Sequence, residues 1–186
     1  LGSVILGIWL GLQGTFEKPS SASQTVLGGD FTLNSANGPV SLSDFRGKVV
    51  AVYFGYTHCP DVCITSLNKV ASALKQLTDQ QTAQIQPIFV SVDPERDTPE
   101  KTGIYAAYFN PQILGLSGSV SDTAEIAQRY RVIYEKVFIE GSAMDYSVDH
   151  SSIVYVVGRD GKLRNLIQHA EGSEVLADAL RSALND

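Results

Sequence analysis

Only two cysteines occur in the 186 residues of this chain, Cys59 and Cys63, and they fall within about one helical turn of each other. Thiolates act as nucleophiles, redox groups and soft metal ligands, so a lone close pair is where chemistry should be sought first. The pair stands in Phe54-Gly-Tyr-Thr-His-Cys59-Pro-Asp-Val-Cys63. As a structural disulfide it would close a loop of only a few residues, where the chain-entropy gain is smallest. As a dithiol redox catalyst it has three intervening residues where two are usual. A peroxidase-type thiol needs only one cysteine in such a loop. As a metal site, two sulfurs leave the coordination sphere incomplete, and a third ligand must come from elsewhere.

Histidine is the obvious further donor, and there are three. His58 adjoins Cys59 but is expected to point to the opposite side of an extended loop. His169, in Gln168-His169-Ala170, reads as a solvated loop residue. His150 lies in Asp145-Tyr-Ser-Val-Asp-His150-Ser151, directly before the apolar run Ile153–Val157. By position alone it is either a turn histidine or a third ligand. Two sulfurs and one nitrogen make a poor structural zinc site, which wants four protein ligands. The set suits three-coordinate Cu(I), whereas a blue-copper site uses one cysteine and two histidines. Met144, the single methionine, reads as a packing residue rather than an axial ligand.

The acids near these positions have more ordinary readings. Asp93 and Asp97 flank Pro94-Glu95-Arg96 at another strand-to-helix loop, which reads as a turn with an Asx-type cap and an Arg96 salt bridge, with a direct functional role as the other reading. Asp61 either caps the helix that follows or presents charge to a partner. Asp149 is a candidate to orient His150.

The elements that must position these groups follow from periodicity. Phe31, Leu33, Val40 and Leu42 alternate around Ser35-Ala-Asn-Gly38, a hairpin signal. Val49–Phe54 is continuously apolar, as a strand buried on both faces should be. The cysteine loop is then the loop beyond a central strand, where α/β proteins bind ligands. Ile64, Leu67, Val70, Leu74 and Leu77 recur at three- and four-residue steps and predict an amphipathic helix. If Cys63 is helical, the two thiols share one face, about 5–6 Å apart at Cβ.

Ile85–Val92 reads as a second strand, with Pro87 tolerated near its start. Thr98-Pro99-Glu100 opens a helix to about Phe109. Asp122 with Glu125 gives a capping-box pattern before Ile126. Two further strands, Ile153–Val157 and Leu163–Ile167, join at Arg159-Asp-Gly-Lys162, and Glu174–Leu184 closes the chain as a helix. The order predicts an α/β fold whose central mixed sheet is flanked by helices on both faces, with an N-terminal β-hairpin.

A composition of 44% hydrophobic and 18% charged residues excludes a disordered or fibrous chain. A net charge of −6 gives no global attraction for nucleic acid. Residues 1–16 carry no charge and would reach about 24 Å as a helix, a little short of a bilayer span. They read as a partial transmembrane anchor, with a signal h-region or a buried element as the other readings. Residues 17–24 follow as a polar linker, and 25–186 as one domain. The anchor reading puts that domain outside the cytoplasm.

The chain resembles the Sco/SenC family, copper-delivery and thiol-redox proteins that serve cytochrome c oxidase assembly. Three motifs carry the resemblance: the run at 54–63, Val-Asp-Pro-Glu-Arg-Asp-Thr-Pro at 92–99, and Val-Asp-His-Ser at 148–151. It covers about Phe31 to Leu184. It implies a thioredoxin-like fold tethered by one N-terminal transmembrane helix in the periplasm or an equivalent space. It also implies copper, as Cu(I) or Cu(II), held by Cys59, Cys63 and His150, and the copper-bearing subunit of cytochrome c oxidase or another copper protein as partner. Cys59 and Cys63 would also carry any thiol-disulfide reductase activity. Thioredoxin-type oxidoreductases place a cis-proline just before the strand that here is Ile153–Val157. This sequence has no proline after Pro111, and His150 occupies that neighbourhood.

Overall fold

The computed structural model describes residues 27–141 and 145–186. The expected anchor at 1–16, the linker at 17–24 and Met144 lie outside the described residues. Among those described, no helix is long and apolar enough to cross a membrane.

The predicted hairpin forms from β1 (Thr32–Ser35) and β2 (Gly38–Ser41), with Leu33 opposite Val40. One 3-10 turn, Leu42–Phe45, leads to β3 (Val49–Gly55), every residue of which is buried. The helix α1 (Val62–Lys75) and the short α2 (Asp79–Thr82) return the chain to β4 (Ile85–Ser91). Next come α3 (Pro99–Phe109), β5 (Leu114–Leu116) and α4 (Val120–Tyr130). A second hairpin, β6 (Tyr134–Phe138) and β7 (Tyr146–His150), precedes β8 (Ile153–Val157). The chain closes with β9 (Leu163–Gln168) and α5 (Ser173–Asn185).

Five strands make the central sheet in the order β5-β4-β3-β8-β9, parallel from β3 through β5 and antiparallel from β3 through β9. This is the expected mixed sheet of a thioredoxin-like fold. Successive side chains of β3 point to opposite faces. Tyr53 stacks on Phe89 at 6.3 Å, whereas Phe54 meets Tyr130 of α4 at 5.4 Å and Tyr155 at 5.5 Å. Both faces of β3 are covered, so it has no polar side and reads as one apolar run.

Pro87 is accommodated because β5 pairs only with Ile88–Val90. Before that point the carbonyls of Ile85 and Pro87 accept from the side chains of Gln112 and Gln86. A residue without an N–H therefore costs no ladder bond there.

Four local expectations change. Ile64 is 40% exposed, and the buried stripe of α1 runs through Cys63, Leu67, Val70 and Leu74, which puts a cysteine at the head of the core face. Asp122 is not the N-cap of α4. Ser119 is, and Asp122 is its capping-box partner, so the helix starts earlier than the Asp122–Glu125 pattern suggested. β5 has too few residues to show a period. The β6–β7 hairpin is hidden because the inward position 136 is a lysine, held over the Tyr146 ring and paired with Glu95.

Candidate metal centre

β3 ends at Gly55, and residues 56–61 carry the chain across the carboxyl end of the central strands into α1. The loop is held from below by Asp97, which is fully buried. The Thr57 backbone N–H donates to Asp97 Oδ2 at 2.8 Å, its hydroxyl donates to Oδ1 at 2.6 Å, and Ser91 Oγ donates to Oδ2 at 2.7 Å. Asp97 is thus more than the ordinary turn acid of the sequence reading: it fixes the first turn of the cysteine loop. Asp93 and Arg96 do form the expected salt bridge. Arg96 also donates to the Tyr146 carbonyl at 2.8 Å and lies 3.7 Å from the Tyr146 ring centroid, pinning β7 beside the loop.

Cys59 lies just before the helix, so the i,i+4 pair expected on one helical face does not form. The loop instead folds Cys59 over the helix start, where its sulfur accepts the Cys63 N–H at 3.4 Å. Asp61 occupies the N-cap position but makes no side-chain capping bond. A free helical N–H therefore points at sulfur, where it favours a thiolate.

Cys63 is 0% exposed and Cys59 6%, and both are free thiols. A Cβ on Gly55 would stand 2.8 Å from Cys63 Sγ, so only glycine leaves that sulfur its place against the strand end. Sequence reasoning passed over Gly55. Its only signal was a glycine ending an otherwise apolar strand.

His150 is not in a loop. It ends β7, opposite Tyr134, and its ring lies edge-on to Tyr53 and Tyr56 at 6.2 and 5.9 Å. Nε2 is 3.2 Å from Cys63 Sγ, and Nδ1 is 3.1 Å from the Ser151 carbonyl. A carbonyl only accepts, so Nδ1 carries a proton and Nε2 is the ring atom turned to the sulfurs, where in the neutral ring it offers a lone pair. A protonated ring would instead donate from Nε2 to a thiolate. Asp149 does not orient this ring, because it lies on the other face of the strand, opposite Glu135.

The two sulfurs and one imidazole nitrogen lie within 4.8 Å of one another. The other two histidines stay outside this group. His58 is exposed, with Nδ1 3.1 Å from Thr57 Oγ1. Since that hydroxyl donates to Asp97, it accepts from His58. His169 is exposed at the end of β9, with Nδ1 3.2 Å from Ser66 Oγ.

The cysteine pair shares a proton unequally. The Cys63 thiol, hydrogen-bonding to Cys59, brings the Cys59 pKa down to about 4 against the opposing effect of burial, with backbone N–H groups helping. The same bond and its own burial push Cys63 up and keep it protonated. An open hollow of about 360 Å³ above the group is lined by Tyr56, Cys59, Pro60, Asp61, Val62 and residues 147–150. Cys59 and His150 face it, and Cys63 lies beneath. Such an arrangement can take up one soft cation or exchange electrons with a partner's thiols.

Residues 19–185 match the SCO1/SenC family model. The chain is 36% identical over 190 residues to the mitochondrial SCO2 homolog of Bos taurus, covering 97% of this chain and 71% of that one. Among solved structures, Bradyrhizobium japonicum ScoI with copper bound is 37% identical with a TM-score of 0.76, over 86% of this chain and 100% of that one. BsSco, in which a disulfide switch has been identified and which is described as a member of the Sco family of cytochrome c oxidase assembly proteins, is 26% identical with a TM-score of 0.66. That match covers 86% of this chain and 94% of BsSco.

Proposed function

This chain belongs to the SCO1/SenC family, and from that membership we propose that it is a copper metallochaperone of cytochrome c oxidase assembly, holding copper between Cys59, Cys63 and His150. The observation that carries the reading is the convergence of two sulfurs and one lone-pair-bearing nitrogen within 4.8 Å. Two soft thiolates and an imidazole suit Cu(I), and a group of three among the described residues is one short of the four protein ligands of a structural zinc.

The protonation of the pair supplies the chemistry of loading. Cys59 is the resident thiolate and meets the ion first. Cys63 gives up its proton as it becomes the second ligand, so one proton leaves for each ion bound. Two thiolates around Cu(I) give a core charge of −1, and around Cu(II) a neutral one, so both oxidation states are tolerated. Delivery is ligand exchange: an acceptor thiol or imidazole enters by the hollow, displaces Cys59 or His150, and Cys63 releases last because it is buried beneath them.

A second reading rests on the same asymmetry. A low-pKa thiolate beside a buried thiol is the layout of dithiol exchange. Cys59 attacks a partner's disulfide, Cys63 resolves the mixed disulfide, and the partner leaves with two thiols while a Cys59–Cys63 disulfide forms here. That disulfide abolishes copper binding, which couples loading to redox poise.

Residues 1–16 serve in this account as a membrane tether, 17–24 as the linker, and 25–186 as a domain in the periplasm or an equivalent compartment. The acceptor is the copper-bearing subunit of cytochrome c oxidase. Comparing His150→Ala with Cys63→Ser tests the assignment. The first should weaken copper binding more than about a hundredfold and leave dithiol exchange intact, whereas the second should abolish both. Unchanged copper binding in His150→Ala would defeat the ligand set.

A further inference from the structure

The hairpin that carries His150 has an outward face the copper chemistry does not use. Its ladder extends beyond β6 and β7: Ile139 N–H donates to the Asp145 carbonyl, and Ser151 N–H to the Ile133 carbonyl. Residues two apart share a face of a strand. Tyr134 and Lys136 turn inward with Tyr146, Val148 and His150, so Ile133, Glu135, Val137 and Ile139 turn outward. Ile133 is 77% exposed, Val137 41% and Ile139 41%. Isolated exposed aliphatics are ordinary, but three on one face of a seven-residue stretch form a patch.

The same face is acidic. Glu135 lies directly opposite Asp149 in the ladder, a like-charge pairing that costs stability. Asp149 and Ser147, on that outward face, also line the hollow above Cys59 and His150, with Asp61 across it. The apolar stripe therefore lies on β6 directly beside the β7 residues that line the hollow, and the rim of that hollow carries Asp61 and Asp149.

We propose that the outward face of the β6–β7 hairpin docks the copper acceptor, a protein surface that presents an apolar centre and a basic rim beside its own copper ligands. The proposal rests on the copper-delivery reading above. Charge complementarity argues for the basic rim: among the described residues neither Glu135 nor Asp149 forms an ion pair, and a partner cation would relieve their juxtaposition. Continuity argues for the place, since Val137 pairs with Ser147, which lines the hollow, so a body seated on the stripe stands next to the opening through which the ion must leave. Docking there lets the acceptor wait at the site without first competing for copper.

The test loads the protein with Cu(I) and follows transfer to the purified apo copper-bearing domain of the oxidase subunit and, separately, to neocuproine, a neutral chelator that needs no docking. The double variant Ile133→Ser/Val137→Ser and the variant Glu135→Lys touch exposed side chains, and thermal melts check that they fold. The proposal expects transfer to the protein acceptor to slow by roughly tenfold or more in each variant, with transfer to neocuproine unchanged in the apolar double variant. It also expects the parent's protein transfer to slow as salt rises. Variants that deliver to the acceptor at the parent rate would overturn the docking face while leaving copper delivery standing. No transfer from the parent would overturn delivery and the docking face together. Sedimentation showing the stripe buried in a dimer of this chain would reassign it to self-association.

Discussion

Cys63 Sγ and His150 Nε2 lie 3.2 Å apart although 87 residues separate them in the chain. β3 and β8 are adjacent antiparallel strands, with Tyr53 opposite Val154. The sheet therefore brings the start of α1, which follows β3, beside the end of β7, which precedes β8. The proposed copper site is a consequence of strand order, and most of the substitutions that should damage it act through packing.

Gly55→Ala is the sharpest of these. Its Cβ would intrude to 2.8 Å from Cys63 Sγ and 3.0 Å from Phe89. Both neighbours are buried, so the sulfur must move. Copper affinity should fall by about 10–100-fold, the range expected when a ligand's support is lost. Competition against a Cu(I) chelator measures this, with circular dichroism confirming the fold.

Asp97→Ala should destabilise the domain and disorder the cysteine loop together. The carboxylate accepts from Thr57 N–H, Thr57 Oγ–H and Ser91 Oγ–H. Removing it strands buried donors, at a cost of roughly 2–4 kcal/mol. Denaturant unfolding reads the loss, and Asp97→Asn, which keeps part of the hydrogen bonding, should recover some of it.

The thiol pair predicts a particular pH dependence. Cys59 is pulled down to about 4 by the Cys63 thiol, so its alkylation by iodoacetamide should already be near its plateau at pH 6. Cys63, pushed up and buried, should stay unlabelled in the folded protein. The Cys59 depression favours the folded state above the ordinary thiol value, and that contribution is lost as pH falls through about 4. The upward shift of Cys63 acts in the opposite sense, penalising the fold where unfolded thiols ionise. Mass-spectrometric mapping of the labelled cysteine across pH 3–9 checks both assignments.

Much of this centre was legible in the sequence because its donors are rare residue types in recognisable settings. Val49–Phe54 announced a strand buried on both faces, which located the cysteine loop at the carboxyl end of the sheet. The proposed third ligand was harder to see. His150 sits on a strand hidden by Lys136, whose charge breaks the inward apolar alternation of its partner strand. Gly55 and Asp97 escaped for a different reason. Their roles are a space left for a sulfur and a carboxylate that gathers three donors from two segments, and neither leaves a period in the chain. The two-cysteine spacing misled in one respect, since i,i+4 suggested a shared helical face where a loop thiol folds over the helix start.

Anaerobic titration of the reduced domain, first with Cu(I) and then with Cu(II), bears most directly on the central claim. Stoichiometry, released protons and sulfur-to-copper charge-transfer absorption should be recorded together. The account predicts one ion per chain in either state, about one proton released per ion at neutral pH, and an intense charge-transfer band for Cu(II) that is altered in His150→Ala. No tight binding in either state, or a spectrum indifferent to His150, would contradict it.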